Sequence, residues 1–229
     1  MSNARIMVVE DDPDIAAFER TVLERAEFDV QIAASGAQAL EMAASWLPEV
    51  VLLDVGLPDI SGLDVLTSLS YTTDAFILMV SGMSSEEDIL KGLGLGADDY
   101  ITKPFSPSQL IARVQSFLRR RHRQGQREDE GRLTLGNATL VRDLHVLQAG
   151  ERSIPLTALE FRLLWYLGEA EGRLLTRAQI LEHVWNDVSG VPTRVVDVHV
   201  AALRKKLTEA AATLTIASVR CIGYRLDKP

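Results

Sequence analysis

The chain has 229 residues, of which 47% are hydrophobic, so it can form one large domain or two ordinary domains with buried cores. No apolar run approaches the roughly 18 residues that a membrane span needs, and the first apolar residues lead directly into Glu10, unlike a secretory signal. We therefore expect a cytoplasmic protein without a membrane segment. The single cysteine, Cys221, cannot form an internal disulfide.

The negative charge of the chain lies in its first half. The formal net charge is -8; residues 1–124 carry 10 Lys and Arg against 19 Asp and Glu, whereas residues 125–229 carry 14 against 13. Binding to nucleic acid depends on local charge more than on total charge. The two halves must therefore be judged separately.

Strand-like and helix-like stretches alternate up to about residue 121. The apolar runs at 5–9, 50–53 and 75–80 are typical of strands buried on both faces of a parallel sheet. Residues 1–121 are therefore predicted to form an α/β domain with a doubly wound, five-stranded parallel sheet. The pattern predicts strands at 5–10, 29–33, 50–54, 75–80 and 99–102, and helices near 14–26, 36–45, 63–69, 86–93 and 107–121.

A polar segment separates this domain from the rest of the chain. Residues 122–131 contain no apolar residue and no periodicity, which predicts a linker. Residues 132–229 are predicted to form a second domain of the α+β class. Its pattern predicts strands near 133–135, 138–141, 145–148 and 152–154, helices near 158–169, 177–183 and 193–207, and an extended pair at 214–219 and 223–226.

Polar residues follow the predicted strands of the first domain where each strand ends. In an open parallel sheet, ligands bind outside the carboxyl ends of the strands, so Glu10, Asp11, Asp54, Ser81 and Lys103 should meet in one crevice. Carboxylate oxygens suit Mg²⁺, and a carboxylate beside such an ion can accept a phosphoryl group. An amine and a hydroxyl nearby could then stabilise the anionic oxygens. Taken singly, each residue also fits an ordinary role in a loop or strand.

Four motifs at these strand ends occur in a fixed order. They are Val8-Val9-Glu10-Asp11-Asp12, Leu53-Asp54-Val55-Gly56-Leu57-Pro58 with Gly62, Ser81-Gly82, and Gly96-Ala97-Asp98-Asp99-Tyr100-Ile101-Thr102-Lys103-Pro104-Phe105. In order and spacing they resemble the receiver domain of bacterial two-component response regulators, over nearly all of residues 5–121. The resemblance implies a flavodoxin-like receiver fold.

The resemblance implies a phosphoacceptor site that contains Mg²⁺. Asp54 is expected to accept the phosphoryl group from a sensor histidine kinase. Glu10, Asp11 and Asp54 are expected to hold Mg²⁺ together with the backbone carbonyl of Gly56. Beyond this transfer and autodephosphorylation, no turnover chemistry is expected.

The resemblance also implies residues that respond to the phosphoryl group. Lys103 is expected to contact the phosphate and to precede a cis peptide bond at Pro104. Ser81 and Tyr100 are expected to form a switch pair. A phosphoryl group adds about two negative charges, which would draw the Ser81 loop inward and let Tyr100 turn into the vacated space.

A homodimer that forms on phosphorylation is a further implication of the resemblance. The last helix-strand-helix segment of the receiver is expected to form ion pairs between two copies. Lys91 usually has a glutamate partner in this family, but the matching position here is Gln109. The expected dimer residues are Lys91, Asp98, Asp99, Arg113 and Arg120.

The predicted helix at 193–207 carries an apolar stripe and a partly basic face. Such a face is more often simply solvated, although it could also enter a DNA major groove. The sequence around this helix favours entry into the major groove, because it resembles the winged helix-turn-helix domain of OmpR/PhoB-type regulators. The matching segments are 156–164, 175–181, 183–185, 194–200, 203–205, 219–220 and 223–225.

By this resemblance, the helix at 193–207 reads the major groove and the final hairpin is a wing near the minor groove. The chain departs from the family at Ala201, Ala202 and Cys221. Alanines cannot make bidentate base contacts, so specificity is expected to rest on fewer polar groups or on thymine methyl groups. The expected DNA-contacting residues are Arg194, His199, Ala201, Arg204, Lys205, Ser218, Arg220 and Tyr224.

These features predict a DNA-binding transcription regulator that is switched by phosphorylation. Its expected partners are a histidine kinase, double-stranded promoter DNA, a second copy of the chain and, as a further candidate, RNA polymerase. The alternative is a phosphorylation-independent DNA-binding dimer with a structural receiver. An acyl-phosphate phosphatase is a distant third, because the second acid that haloacid-dehalogenase-like enzymes need is replaced by Gly56. The sequence contains no Walker A motif.

Overall fold

The structure, a computed structural model, describes residues 3–83, 85–125, 131–185 and 191–228, with the backbone alone at 120–125. The chain divides into two units, Met1–Arg123 and Gln124–Pro229. In the first unit, five strands alternate with five helices among the described residues. They are β1 (Arg5–Val9), α1 (Pro13–Arg25), β2 (Asp29–Ala33), α2 (Gly36–Trp46), β3 (Val50–Leu53), α3 (Gly62–Thr72), β4 (Phe76–Ser81), α4 (Glu86–Gly94), β5 (Asp99–Thr102) and α5 (Pro107–Gly125).

The five strands form one parallel sheet in the order β2-β1-β3-β4-β5. Every residue of β3 and β4 is buried, as expected for a parallel sheet with both faces covered by helices. One core cluster joins Leu23 of α1 and Val114 of α5 to the strands, and the ring of Phe117 stacks on Phe76 with centroids 5.1 Å apart. The predicted α/β class and doubly wound parallel sheet are confirmed.

The last helix of the first unit is longer than its apolar pattern predicts. We expected it to end at residue 121, but α5 continues to Gly125. Arginine and glutamine have good intrinsic helix propensity, so the polar residues after the apolar stripe prolong the helix. The predicted linker at 122–131 therefore begins too early, and its residues 126–130 lie outside the described residues.

The second unit has two antiparallel sheets and three α-helices among its described residues. A four-stranded sheet has the order β6-β7-β8-β9, and a three-stranded sheet has the order β10-β12-β11. The elements are β6 (Arg132–Leu135), β7 (Ala138–Val141), a 3₁₀ turn (Arg142–Leu144), β8 (Val146–Ala149), β9 (Arg152–Pro155), α6 (Ala158–Glu169), β10 (Leu175–Thr176), α7 (Arg177–Trp185), α8 (Arg194–Glu209), β11 (Thr215–Val219) and β12 (Gly223–Asp227). The α+β class of this unit is confirmed.

Strand β10 was not predicted, because it is only two residues long and depends on a distant partner. Leu175 pairs with Tyr224 of β12, and Thr176 pairs with Gly223. A Cβ atom at Gly223 would lie 1.9 Å from the carbonyl oxygen of Leu175. Glycine is therefore required at this position for the two backbones to approach.

The helices of the second unit follow their sequence signals. Thr157 and Glu160 form a capping box at the start of α6. On α8, the predicted apolar stripe is buried, including Val200 and Leu203. Within the described parts of both units, no helix combines the length and the hydropathy needed to cross a bilayer.

One acidic side chain lies in the core of the first unit. Glu19 projects from α1 on the same face as Ala16 and Leu23 and is only 1% exposed. Its Oε1 atom has no hydrogen-bond partner among the described residues. Burial, reinforced by the negative charge of Glu10, raises the pKa of Glu19 to about 8. Folding therefore has to keep this carboxyl group neutral near pH 7.

We expect Glu19 to make the protein less stable as the pH rises. In the unfolded chain the carboxyl ionises near its ordinary pKa of 4.5, but in the folded chain it keeps its proton up to about pH 8. Between these values the folded state binds more protons, so the free energy of unfolding falls with rising pH. At pH 7 the loss is about 3 kcal/mol, since each pKa unit corresponds to about 1.4 kcal/mol.

The substitution Glu19→Leu removes this loss. Its gain in melting temperature over the wild type should therefore be larger at about pH 7.5 than at about pH 5. Glu19→Gln, which is neutral at both pH values and close in shape, is the matched control for charge. Equal gains at the two pH values would show that Glu19 is ionised in the folded protein.

Candidate functional site

Three carboxylates meet at the carboxyl ends of β1 and β3. Glu10 and Asp11 follow β1, Asp54 follows β3, and each offers an oxygen atom within 4.8 Å of the other two. In the sheet order, the winding direction reverses between β1 and β3, which is where open α/β sheets bind ligands. Glu10 is 3% exposed, whereas Asp11 is exposed to solvent. The sequence prediction that these three acids converge is supported by this geometry.

The ammonium group of Lys103 joins two of these carboxylates. Its Nζ atom donates to Glu10 Oε2 at 2.6 Å and to Asp54 Oδ2 at 2.8 Å. Burial by itself lowers the pKa of Lys103, but the hydrogen bonds to Asp54 and Glu10 outweigh burial and the pKa is raised. Lys103 therefore remains charged and offsets part of the negative charge. The peptide bond between Lys103 and Pro104 is cis.

The start of α3 holds the loop that carries Asp54. The Gly62 N–H donates to the Val55 carbonyl at 3.0 Å, and a Cβ atom at Gly62 would lie 2.1 Å from the carbonyl oxygen of Asp54. Only glycine permits this approach. The Val55 N–H also donates to Asp54 Oδ1 at 2.7 Å. Both carboxylate oxygens of Asp54 are thus oriented by protein donors.

Asp59 supports the same loop, a role that the sequence did not suggest. Its two carboxylate oxygens accept from the backbone N–H groups of Gly36 at 2.8 Å and Ala37 at 2.9 Å, at the start of α2. These backbone donors lower the pKa of Asp59 to about 2. The bond couples the loop after Asp54 to a helix 22 or 23 residues away in sequence. No local pattern could reveal it, because the donors belong to another element.

Ser81 and Tyr100, the expected switch pair, both bind Met83. Ser81 is 3% exposed at the end of β4, and its Oγ atom accepts from the Met83 N–H at 3.2 Å. Tyr100 is 8% exposed, and its hydroxyl donates to the Met83 carbonyl at 3.0 Å. Tyr100 is thus buried, with its hydroxyl bound to the loop after β4. The two predicted switch residues are thus connected through the backbone of Met83.

The acids expected to pair between two copies have partners within this chain. Asp98 is 2% exposed, and its Oδ2 accepts from the Ile77 N–H at 2.9 Å. Asp99 is 1% exposed and forms an ion pair with Arg113. Burial raises the pKa of Asp99 to about 6, although the charge of Arg113 opposes the shift. Ion pairs between copies would have to replace these internal bonds.

The other residues expected at the dimer interface lie on α4 and α5. Lys91 is exposed on α4. Gln109, which stands where the family usually has the glutamate partner, accepts from the Ser106 N–H at 2.9 Å at the start of α5. The side chain of Arg120 lies outside the described residues. The intermolecular pairs therefore stay a prediction.

A solvent-exposed face of α8 and the β11–β12 hairpin carry most of the residues expected to contact DNA. Six of these side chains are exposed, and four of the six are cationic. The exposed members are Arg194, Ala201, Arg204 and Lys205 on α8, and Ser218 and Arg220 on the hairpin.

The same face of α8 includes an apolar residue that the sequence analysis missed. Val198 is 40% exposed, one helical turn after Arg194 and three residues before Ala201. The spacing from Arg194 could have indicated it, since residues four apart share a helix face. Val198 and Ala201 together form a small apolar patch. In a major groove, the apolar group that such a patch matches is the thymine methyl.

Two of the residues expected to contact DNA are buried instead. His199 is 1% exposed, and its ring centroid lies 5.4 Å from that of Trp185 in the core. Tyr224 is 4% exposed, and its hydroxyl donates to Asp197 Oδ1 at 2.6 Å. His199 lies four residues before Leu203 on the buried stripe, which explains its position. Both side chains are therefore buried in this structure, whereas direct contact with DNA requires an exposed side chain.

Arg204 is exposed, but its guanidinium group donates within the protein. The Nε atom donates to the Ile216 carbonyl at 3.0 Å, and Nη2 donates to Ser218 Oγ at 2.8 Å. Nη2 also donates to the Ile216 carbonyl. Arg204 and Ser218 thus form a contact between α8 and β11. The expected contact of Arg204 with DNA would compete with these bonds.

The acidic cluster fits a hard divalent cation by its chemistry. All three side chains, Glu10, Asp11 and Asp54, offer carboxylate oxygens, which Mg²⁺ prefers over nitrogen or sulfur. The space around the exposed Gly56 is open, since a Cβ atom there would meet no atom within 4 Å. The donor set and the space are therefore compatible with Mg²⁺.

Each unit matches a known protein family. The family described as "Response regulator receiver domain" matches residues 6–115. The family described as "Transcriptional regulatory protein, C terminal" matches residues 150–226. The two matches lie in the order that the sequence analysis expected.

Full-length relatives show the same combination. The chain is 38% identical over 235 aligned positions to the alkaline phosphatase synthesis transcriptional regulatory protein PhoP of Bacillus subtilis (strain 168), covering 99% of this chain and 98% of that protein. It is 36% identical to the DNA-binding response regulator MtrA of Mycolicibacterium smegmatis, covering 98% and 97%. A solved structure of a RitR mutant has a TM-score of 0.82 at 30% identity, covering 99% of this chain and 100% of that one. The chain therefore belongs to the response regulators of two-component systems, of the OmpR/PhoB type.

Proposed function

We propose that this protein is a DNA-binding transcription regulator that is switched by phosphorylation of Asp54. One observation carries the proposal: Lys103 Nζ lies 2.8 Å from Asp54 and 2.6 Å from Glu10, beside a cluster of three carboxylates. This arrangement places a fixed positive charge where the oxygens of a phosphoryl group on Asp54 would lie. Proteins of this family act as transcription regulators and not as turnover enzymes.

The proposed reaction is transfer of a phosphoryl group from a histidine kinase. A carboxylate oxygen of Asp54 attacks the phosphorus of a phosphohistidine; the new P–O bond forms as the P–N bond breaks, and the leaving imidazole takes up a proton. Mg²⁺, when held by Glu10, Asp11, Asp54 and the Gly56 carbonyl, supplies positive charge to the phosphoryl oxygens. Lys103 orients the acceptor and contributes a second positive charge.

The contacts of Met83 support a route from the site to the surface of β5. If the Ser81 hydroxyl turns to donate to the phosphoryl group, its bond to the Met83 N–H is disturbed. Tyr100 binds the carbonyl of the same residue and therefore senses the change. Asp99 is adjacent to Tyr100 and pairs with Arg113. We propose that this change favours a receiver dimer, and that dimerisation aligns two DNA-binding units on a promoter.

The phosphoacceptor is tested with a small phosphodonor and Mg²⁺. Wild-type protein should gain the mass of one phosphoryl group, form a tighter dimer and bind DNA more tightly. Asp54→Asn should gain none of these, because an amide oxygen is a poor nucleophile. Asp64→Asn, which removes an exposed carboxylate from α3, is the charge-matched control and should behave like the wild type.

Intact-mass measurement, sedimentation velocity and a DNA-binding titration report the three properties separately. A phosphorylated wild type with unchanged dimer and DNA affinities would favour the phosphorylation-independent alternative. Absence of the phosphoryl mass from wild-type protein would overturn the phosphoacceptor role itself.

Lys103 and Mg²⁺ are expected to compensate the same carboxylates. Lys103→Met leaves Glu10 and Asp54 without their cationic partner, so the variant should be less stable than the wild type without Mg²⁺, by about 3 kcal/mol. Added Mg²⁺ should restore part of this loss and raise the melting temperature more than it does for wild type, because binding to the folded state stabilises it. Lys91→Met, at an exposed position of α4, is the control. An equal Mg²⁺ effect in all three proteins would argue against a shared site.

The DNA-binding face is tested by the salt dependence of affinity. Lys205→Ala and Arg220→Ala should each flatten the slope of log K against log salt concentration by about 1, since each removes one cation expected at a phosphate. Arg20→Ala, on α1 of the first unit, should leave the slope unchanged. A variant whose slope equals that of the wild type does not carry a phosphate contact.

A further inference from the structure

Arg204 connects α8 to the hairpin formed by β11 and β12. Its guanidinium donates to the backbone carbonyl of Ile216 and to Ser218 Oγ. A planar guanidinium with several donors fixes the direction of such contacts better than a single ammonium. Because one acceptor is a backbone carbonyl, the bond holds the strand itself. α8 and β11 are thereby joined at two neighbouring points.

A second group of contacts joins β12 to the same helix. The Tyr224 hydroxyl donates to Asp197 Oδ1 at 2.6 Å, and Arg177 Nε donates to the same oxygen at 2.8 Å. The guanidinium carbons of Arg177 and Arg204 lie 4.9 Å and 5.8 Å from the centre of the Tyr224 ring. Both distances are within the range of cation–π attraction. Tyr224 is therefore held by α7 and α8 together.

The two groups of contacts hold the hairpin at one position along its length. Ser218 and Tyr224 are cross-strand partners, and the next pair, Val219 and Gly223, is the last before the turn. Arg220 lies exposed at this turn. The hairpin is thus held just before its turn. The turn carries Arg220, which is expected to contact DNA.

We infer that Arg204 and Tyr224 are positioning residues that hold the hairpin on α8 and set the distance between the two DNA-contacting elements. This inference rests on the proposed DNA binding and deepens it. Arg204 would have to give up its bonds to Ile216 and Ser218 to contact DNA, which would release the hairpin. Because the hairpin is already held before DNA binds, less conformational entropy is lost when Arg220 contacts the duplex.

A double-mutant cycle between Arg204 and Arg220 tests this inference. The probe is a duplex selected by the full-length wild-type chain from a random-sequence library, and dissociation constants are measured at one salt concentration. If Arg204 acts through the hairpin, Arg204→Ala should weaken binding about 10-fold in the wild type but about 2-fold or less when Arg220 is already alanine. The control is the same cycle with Lys205→Ala in place of Arg204→Ala. There, the losses of affinity caused by the two substitutions should be additive.

A conservative substitution separates positioning from charge. Arg204→Lys keeps the positive charge but cannot reproduce the pair of directed hydrogen bonds, so it should weaken binding as much as Arg204→Ala does. Full affinity in Arg204→Lys would show a simple charge contact with DNA and would overturn the inference.

A smaller substitution tests the same inference in case Arg204→Ala fails to fold. Tyr224→Phe removes only the hydroxyl that binds Asp197, and thermal unfolding verifies that the variant is folded. Its affinity should fall about 3-fold, and this loss should disappear when Arg220 is alanine. If the losses of affinity caused by Arg204→Ala and Arg220→Ala are additive, the positioning role is overturned but the proposed DNA binding is not. If the wild type enriches no duplex, the proposed DNA binding fails, and the inference fails with it.

Discussion

The ion pairs of Lys103 with Glu10 and Asp54 are the interaction on which the first unit depends. Three carboxylates at one end of a sheet repel one another, and burial of Glu10 adds a desolvation cost. Lys103 offsets this cost with bonds of 2.6 Å and 2.8 Å. The partners come from the ends of β1, β3 and β5, which the strand order brings to the same edge. The site is therefore a property of the sheet and not of any one segment.

Two other acids of the first unit are buried at an energetic cost. Glu19 lies in the core with one oxygen unpaired among the described residues, and burial raises its pKa to about 8. Asp99 is also buried, and its pKa is raised to about 6 despite its pairing with Arg113. Local rules of residue choice are commonly violated near functional sites, where stability is exchanged for chemistry. The two acids lie on α1 and β5.

The second unit uses polar contacts for a different purpose. Around Asp197, hydrogen bonds and ring contacts join α7, α8 and β12, and Arg204 adds β11. Arg204 and Tyr224, which were predicted to contact DNA, bond instead to other elements of this unit. Arg194, Lys205 and Arg220 are exposed in the same unit, and they are cations expected to contact DNA. Under the proposed DNA binding, contact with the duplex and positioning of the hairpin are divided between different cations.

The sequence by itself determined the order and type of nearly all the elements, because the hydrophobic periods of buried strands and of α8 are local properties. It also identified Glu10, Asp11, Asp54 and Lys103, since these residues follow strands whose ends share one edge of a parallel sheet. It did not reveal that Tyr224 is buried, that β10 pairs with β12, or that Asp59 holds the start of α2. Only the tertiary structure decided these points. Each depends on a partner distant in sequence, such as Asp197 for Tyr224, and local patterns carry no information about such partners.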